Sequence, residues 1–481
     1  MMTSFGQRAQ ELSRLNPWWR NPDTWQNADA DLLEVRRANL GYNTHVLDEL
    51  EEGCLYILRG PRRVGKTVAI VQCIERLIKT GVNPLRIVRA AVDGWKEKDL
   101  RTLVQVSTIP YLPSGETRFW FIDEVTSVKG NWAQQIKWLR DNDPDFRNAT
   151  VILTGSNATS LIEAAGVLAG RRGRGRQLDR TLMPMGFMSF MSILSEDTPQ
   201  ESIGLALTEL HSKQARQQYE AMIPWLDNLT RFWDLYLLYG GFPRMVASIK
   251  AGKGVDDSFV SDLFDVVSGD AFKNSRLSTI EEMQLLERLW YSMASPINLS
   301  EIAKELVTSV DTVKRHTEYL RDAFLLAACP QKDEKRWVPK RGSQTKIYAI
   351  DPVIARLPYL LNPTRRDIDP SVISEMQLFS TLRKSIEKSF PEVGNDAFLF
   401  YCRTSANKEI DFVSEHLAGV AVESKYIESG NWHSESRALN ASGWRGIMAT
   451  RNVFDIDSNA NTWAIPTGML AYLIECSRQS L

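Results

Sequence analysis

The chain has 481 residues, with 58 Lys and Arg against 59 Asp and Glu and a net charge of −1. That length is enough for about two to four domains, each with its own core, and a near-zero balance excludes any argument for a polyanionic partner from overall charge. The five scattered cysteines, Cys54, Cys73, Cys329, Cys402 and Cys476, form neither a zinc pattern nor a disulfide framework. No apolar run reaches the ~18 residues of a membrane span and residues 1–15 lack a signal peptide's apolar core, so a cytoplasmic protein with no membrane partner is expected.

Residues 1–50 are polar, with Trp18, Trp19 and Trp25 near two Asn-Pro pairs. Two readings are open: the aromatics lie beside a nucleotide base, or they anchor an N-terminal arm on the core. The apolar run Cys54-Leu55-Tyr56-Ile57-Leu58 then reads as a buried strand feeding Gly60-Pro61-Arg62-Arg63-Val64-Gly65-Lys66-Thr67. This is a complete G-x-x-x-x-G-K-[ST] phosphate loop, followed by a helical pattern at Val71, Ile74 and Ile78. The glycines let backbone N–H groups turn toward phosphate oxygens, and the helix N-terminus adds partial positive charge. Lys66 is expected on the β/γ-phosphates and Thr67 on Mg²⁺, so the cofactors implied are ATP and Mg²⁺.

Further along, residues 85–92 read as a second strand, and Arg118-Phe119-Trp120-Phe121-Ile122-Asp123-Glu124 reads as a central parallel strand. Downstream of the phosphate loop, Asp123 is the candidate for Mg²⁺ through water. Glu124 is the candidate for polarising the attacking water. A strand over residues 150–154 ends in Gly155-Ser156-Asn157, where Ser156 or Asn157 is placed to sense the γ-phosphate or simply to leave the sheet. Arg171, Arg172, Arg174 and Arg176 crowd one Gly-rich loop. They are read either as a solvated basic loop or as the source of an arginine, Arg171 first, reaching a neighbouring subunit's nucleotide.

The segments ILRGPRRVGKT, FWFIDEV, VILTGSNA, LAGRR, LMPMGFMSF (182–190) and YGGFPRMV (239–246) occur in that order. Together they resemble the AAA-type prokaryotic ATPases that carry a C-terminal domain of unknown function, near the AAA+ and STAND groups of P-loop NTPases. The resemblance implies a helical lid over 191–278 with Arg244 as a candidate second sensor, although 191–230 matches no segment of the pattern. An arginine acting across subunits would make the protein a homo-oligomer, with a hexamer as one option.

Residues 279–346 read as a winged helix-turn-helix. Leu299–Leu306 has the rhythm of a first helix, and Ser309 caps a second that carries Lys314 and Arg315. The basic residues Lys332, Lys335, Arg336, Lys340, Arg341 and Lys346 follow where a wing is expected, which suits a phosphate backbone, although a pure packing role stays open. From residue 347, Asp411 and then Glu423-Ser424-Lys425 resemble the Asp…(Asp/Glu)-x-Lys signature of the restriction-endonuclease-like core. There the two acids bind Mg²⁺ and the lysine activates water, with Glu375 matching a helical acid often found beside them. A surface ion pair is the plainer reading of Glu423 and Lys425.

The expected fold is therefore α/β. It comprises a P-loop parallel-sheet ATPase core (1–190), a helical lid (191–278), a winged helix (279–346) and a restriction-endonuclease-like domain (347–481). The expected function is an ATP-hydrolysing protein that remodels, translocates on or processes duplex or branched DNA, with a Mg²⁺-dependent nuclease site in the C-terminal domain as an open option. A nucleotide-driven signalling switch with a protein partner is the alternative.

Overall fold

In the computed structural model, which describes residues 4–107, 116–155, 157–199, 204–272, 277–389, 398–404, 406–428 and 432–477, each apolar run of the N-terminal part is a strand. These are β1 (Leu55–Arg59), β2 (Ile87–Ala91), β3 (Phe119–Asp123) and β4 (Thr150–Thr154), joined by a short β5 (Asp179–Thr181). All pairings are parallel, in the order β2-β3-β4-β1-β5. A parallel sheet carries helices on both faces, which is why these strands are apolar without alternation. Trp120, Ile122, Val151 and Leu153 meet Ile136, Leu139 and Phe146 in its core.

The N-terminal arm closes the edge at β2. The Asn16 amide donates to the Arg89 carbonyl at 2.8 Å and accepts from the Arg89 N–H at 2.6 Å, as a neighbouring strand would. Trp18 and Trp19 both donate their indole N–H to the Ile87 carbonyl, and Trp18 meets Trp25 edge-on at 5.0 Å. Of the two readings of these tryptophans, the structure shows the anchor, and a covered edge strand cannot pair with another chain.

Arg140 ties together the segments that precede β1 and β4 and the loop before β5. Its guanidinium is 5% exposed and donates to the carbonyls of Gly53, Phe146, Arg147, Ala149 and Arg171, at 2.7–3.0 Å. Burial draws its pKa down to about 10, which leaves it charged at neutral pH.

The chain divides into two compact units, Met1–Met183 and Pro184–Leu481. The helix Phe187–Leu194 packs within the second unit. There Phe187 meets Trp233 at 5.1 Å and Tyr472 at 6.5 Å. The N-terminus of this helix is capped by Glu475, which accepts from the Met188 N–H at 2.9 Å and from the Thr381 hydroxyl at 3.3 Å.

The YGGFP segment also has a packing reason. A Cβ on Gly240, whose φ is +66°, would fall 2.1 Å from an Asp351 oxygen, and one on Gly241 would fall 2.1 Å from the Met185 carbonyl oxygen. Gly241 instead donates its N–H to Asp351 at 2.7 Å and accepts from the Met185 N–H at 2.8 Å. LMPMGF and YGGFP are thus two sides of one contact. Asp351 is fully buried, and burial outweighs its two N–H donors, Gly241 and Val353, lifting its carboxyl to about 6.

Helices Thr279–Trp290, Leu299–Glu305 and Val310–Asp322 lead into the antiparallel hairpin β6 (Leu326–Pro330) and β7 (Thr345–Ala349). Ser309 caps the third of these helices through the Thr312 N–H at 3.1 Å. The remaining strands are β8 (Phe400–Arg403), β9 (Glu409–Val413), β10 (Val420–Ser424), β11 (Arg445–Thr450) and β12 (Thr462–Pro466). They form a mixed sheet ordered β12-β11-β10-β9-β8, antiparallel from β8 to β10 and parallel from β10 to β12. The fold is α/β in both units.

Arg140→Leu removes the donor of five carbonyls, two of them on the buried residues Phe146 and Ala149, and should destabilise the chain by about 3 kcal/mol or more. Calorimetry should show a lower transition temperature; an unchanged one would remove Arg140 from this role. For Asp351, the folded pKa lies above the ordinary value, so its contribution is full below pH 4 and is lost as pH rises through about 6. The stability difference between wild type and Asp351→Asn should therefore move against wild type over that interval, as denaturant titrations at several pH values would read.

Candidate functional site

The phosphate loop leaves β1 at Gly60, where only glycine fits: φ is +147°, and a Cβ would sit 2.1 Å from the Leu182 carbonyl oxygen. Arg63 and Gly65 also have positive φ, +66° and +100°, which turns the loop back on itself before helix Lys66–Lys79. Lys66 is buried and donates its ammonium to the carbonyls of Gly60 and Pro61, both at 2.9 Å. Pro61, Arg62 and Val64 complete the loop between these points.

The site is held together by Asp123 at the end of β3. One carboxylate oxygen accepts from the Thr67 hydroxyl at 2.9 Å; the other accepts from the Thr154 hydroxyl. Thr154, at the end of β4, also accepts from the Glu124 N–H at 3.1 Å. Glu124 therefore leaves β3 in the left-handed region, with φ at +57°, an uncommon backbone for a residue other than glycine, and of the kind that collects at functional sites. Burial raises its carboxyl above the ordinary range despite the opposing charges of Lys66 and Arg62. The pairing of Thr67 with Asp123 fits the hydroxyl and carboxylate with which a P-loop holds a Mg²⁺ that also binds phosphate oxygens.

Thr154 was not among the residues that sequence reasoning selected. Its signal was its place, the last residue of the strand beside β3. Asn157, one of the two proposed sensors, accepts from the Ser160 N–H at 2.8 Å and so caps helix Ala158–Val167. Ser156 lies outside the described residues. Arg171 is paired with Asp141 at 2.7 Å, and Arg172 with Asp179 at 2.7 Å, whereas Arg174 and Arg176 are exposed. Arg244 is held by Asp256 at 2.9 Å and Asp262 at 3.0 Å, a double ion pair inside the second unit.

A second cluster of charge lies in the C-terminal sheet. Asp411 on β9 and Glu423 on β10 face each other across antiparallel strands. The Asp411 N–H donates to Glu423 at 3.2 Å, and Asp411 accepts from the Ser424 N–H at 2.9 Å. Lys425 meets Glu423 at 3.1 Å. Glu375, from helix Pro370–Ser389, accepts from the Tyr348 hydroxyl at 2.7 Å. The four residues named for this site are thus brought together. Burial, then the Asp411 charge, holds both the Glu375 and the Glu423 carboxyl well above the ordinary range.

Lys346 corrects the reading of the wing. Its side chain is 1% exposed and cannot meet a phosphate backbone; its ammonium contacts Glu409 at 2.8 Å, Asp411 at 2.9 Å and Glu375 at 3.1 Å. Burial alone would lower its pKa, but the three carboxylates win and hold it well above an ordinary lysine. The clue was positional: Lys346 is two residues from the buried Tyr348, on the same face of β7. Lys340 pairs with Glu334 at 3.1 Å, so Lys335, Arg336 and Arg341 are the wing cations that remain exposed without so short a carboxylate contact. Among the described residues, no group of three or more His, Cys, Asp and Glu side chains is arranged to hold a metal ion, and no helix is long and apolar enough to cross a membrane.

Residues 53–191 match the family described as an AAA domain, and residues 230–365 match a domain of unknown function, DUF8612. No curated protein matches the chain. Among solved structures, the chain is similar to a Walker-type ATPase of Pyrococcus abyssi, at 13% identity over 69% of this chain and 95% of that one, with a TM-score of 0.37. It is also similar to RuvB of Thermotoga maritima, at 15% identity over 61% and 87%, with a TM-score of 0.27. The ORC1 protein of Aeropyrum pernix, solved in complex with DNA, is similar at 10% identity over 72% and 92%, with a TM-score of 0.27. The match over 53–191, the parallel sheet and the loop geometry agree on a P-loop ATPase fold for this segment.

Thr154→Val removes the hydroxyl that joins Asp123 to the Glu124 backbone. It should leave nucleotide affinity within about threefold, because every group of the phosphate loop stays in place, and should lower turnover about tenfold or more. Equal reductions in both, read by fluorescent-nucleotide titration and phosphate release, would make Thr154 merely structural.

Proposed function

We propose that the chain is an ATP-hydrolysing AAA-type protein that binds DNA and remodels, translocates on or processes it, with branched DNA included. The observation that carries the ATPase half is the net joining Thr67, Asp123, Thr154 and Glu124. Lys66 would bind the β/γ-phosphates, and Thr67 and Asp123 would hold Mg²⁺. That ion supplies charge neutralisation at the phosphates. Glu124, with its raised pKa and fixed backbone, would orient and polarise the attacking water.

The DNA half rests on helices Leu299–Glu305 and Val310–Asp322 followed by the β6–β7 hairpin, a winged-helix arrangement. Lys314, Arg315, Lys335, Arg336 and Arg341 are all exposed on it. In this reading 1–190 is the ATPase core, 191–278 the lid, 279–346 the winged helix and 347–481 a restriction-endonuclease-like domain. Several copies assemble, and the exposed Arg174 or Arg176, rather than the paired Arg171, reaches a neighbour's nucleotide. A second reading, protein binding by the same helix pair, has one observation in its favour. Val307, in the turn between the helices, is 94% exposed with φ at +52°, and Val310 beside it is 42% exposed.

Glu124→Gln should retain ATP and slow turnover by about 100-fold or more; normal turnover would remove Glu124 from the mechanism. Duplex, forked or four-way-junction DNA should stimulate the wild-type ATPase. Lys314→Ala with Arg315→Ala should flatten the salt dependence of DNA binding by about 0.9 for each phosphate that is no longer neutralised. An ATPase indifferent to all three DNAs, with a protein partner that Val307→Ser no longer binds, would establish the protein-binding reading instead.

A further inference from the structure

The acids of the C-terminal sheet were expected to hold Mg²⁺, and their surroundings do not fit it. Asp411 gives one oxygen to the Lys346 ammonium and the other to the Ser424 N–H. Glu423 gives one oxygen to Lys425 and the other to the Asp411 N–H. Glu375 presents a single oxygen to both Lys346 and Tyr348. Lys346 thus has carboxylates from three positions within 2.8–3.1 Å, the environment a cation site offers. A divalent ion needs the same oxygens at roughly 2.0–2.6 Å, with no room left for the ammonium among them.

Lys346 is also held by its backbone. In β7 it pairs with Cys329 of β6 on one side and bridges to Pro296 on the other. The hairpin is fastened beyond it, by the Tyr401 hydroxyl on the Gln344 carbonyl at 2.8 Å and the Lys332 N–H on the Tyr401 carbonyl at 2.8 Å. With a side chain 1% exposed, the lysine cannot leave the acids for solvent by a change of rotamer alone.

We propose that Lys346 holds, within the same chain, the place of a divalent cation in the C-terminal acid cluster, so that the cluster binds the β6–β7 hairpin and not Mg²⁺. The cluster then cleaves no DNA by metal-assisted hydrolysis. It fastens the hairpin to the C-terminal sheet, and the two move as one body. This inference stands on the cluster's geometry alone and is independent of ATP hydrolysis and of DNA binding.

The test is Mn²⁺ binding to the full, nucleotide-free chain, followed by electron paramagnetic resonance and by the shift in melting temperature. Wild type should show no Mn²⁺ site that depends on Asp411, so Asp411→Asn should bind as much Mn²⁺ as wild type. Lys346→Ala should gain one Mn²⁺ per chain, and Lys346→Ala with Asp411→Asn should lose it. Lys346→Gln, which keeps the volume and some hydrogen bonding, repeats the test if the alanine variant does not fold. An Asp411-dependent Mn²⁺ in wild type would overturn the proposal. So would a folded, neutral Lys346 variant that gains no site. If neither neutral variant folds, the wild-type comparison decides, and equal Mn²⁺ binding with and without Asp411 supports the lysine as the resident cation.

Discussion

The Asp123 carboxylate is the constraint on which the nucleotide site depends. It joins the helix after the phosphate loop, through Thr67, to the end of β4, through Thr154. Its partners are 56 and 31 residues away in sequence, so only the sheet can bring them together. The parallel register that sets Ile122 beside Leu153 also sets Asp123 beside Thr154. A slip of one residue would turn each side chain to the other face and break the net. The apolar runs of β1, β3 and β4 therefore fix more than stability; their burial holds the register that positions Glu124.

In the second unit, buried charge has a different use. Asp351 is fully buried to accept two backbone N–H groups, and its place requires a glycine at 240. Glu475 is buried to cap a helix that starts the unit. Lys346 is buried among three acids. Each charge joins segments distant in sequence, and each is surrounded by partners of suitable geometry, without which burial would be strongly unfavourable. Apolar packing brings such segments close; these ionised or hydrogen-bonded groups select which ones meet.

Much of the first unit was legible in the sequence because its signals are local. The phosphate loop, the buried strands and the acids after β3 all lie in short windows where residue type and spacing determine conformation. The strands around Asp411 and Glu423, and the Ser309 cap, were legible for the same reason. What was not legible depends on partners far away. Asn157 looks the same as a sensor or as a cap until the N–H of Ser160 is placed. Arg171 and Arg244 look like available cations until Asp141, Asp256 and Asp262 are found beside them. Lys346 sits in a basic run whose other members are exposed or half-buried, and only its pairing across the hairpin turns it inward. The GGFP segment carried family resemblance, but its physical reason, close approach to Asp351 and Met185, lies in residues well outside the segment.

The Glu475 cap bears on how this chain emerges from a ribosome. The first helix of the second unit receives its capping carboxylate from a residue 287 positions later. Phe187 can meet Trp233 early, but its contact with Tyr472 waits for the late helix Thr467–Cys476 that also carries Glu475. At about 5–20 residues per second of synthesis, that interval is on the order of a quarter to one minute. The P-loop unit, whose contacts close within residues already made, can finish folding during that time. The helix behind it meanwhile lacks its cap and its Tyr472 contact. Codon pace and chaperone access along the 184–467 stretch are thus part of what this architecture demands of the cell.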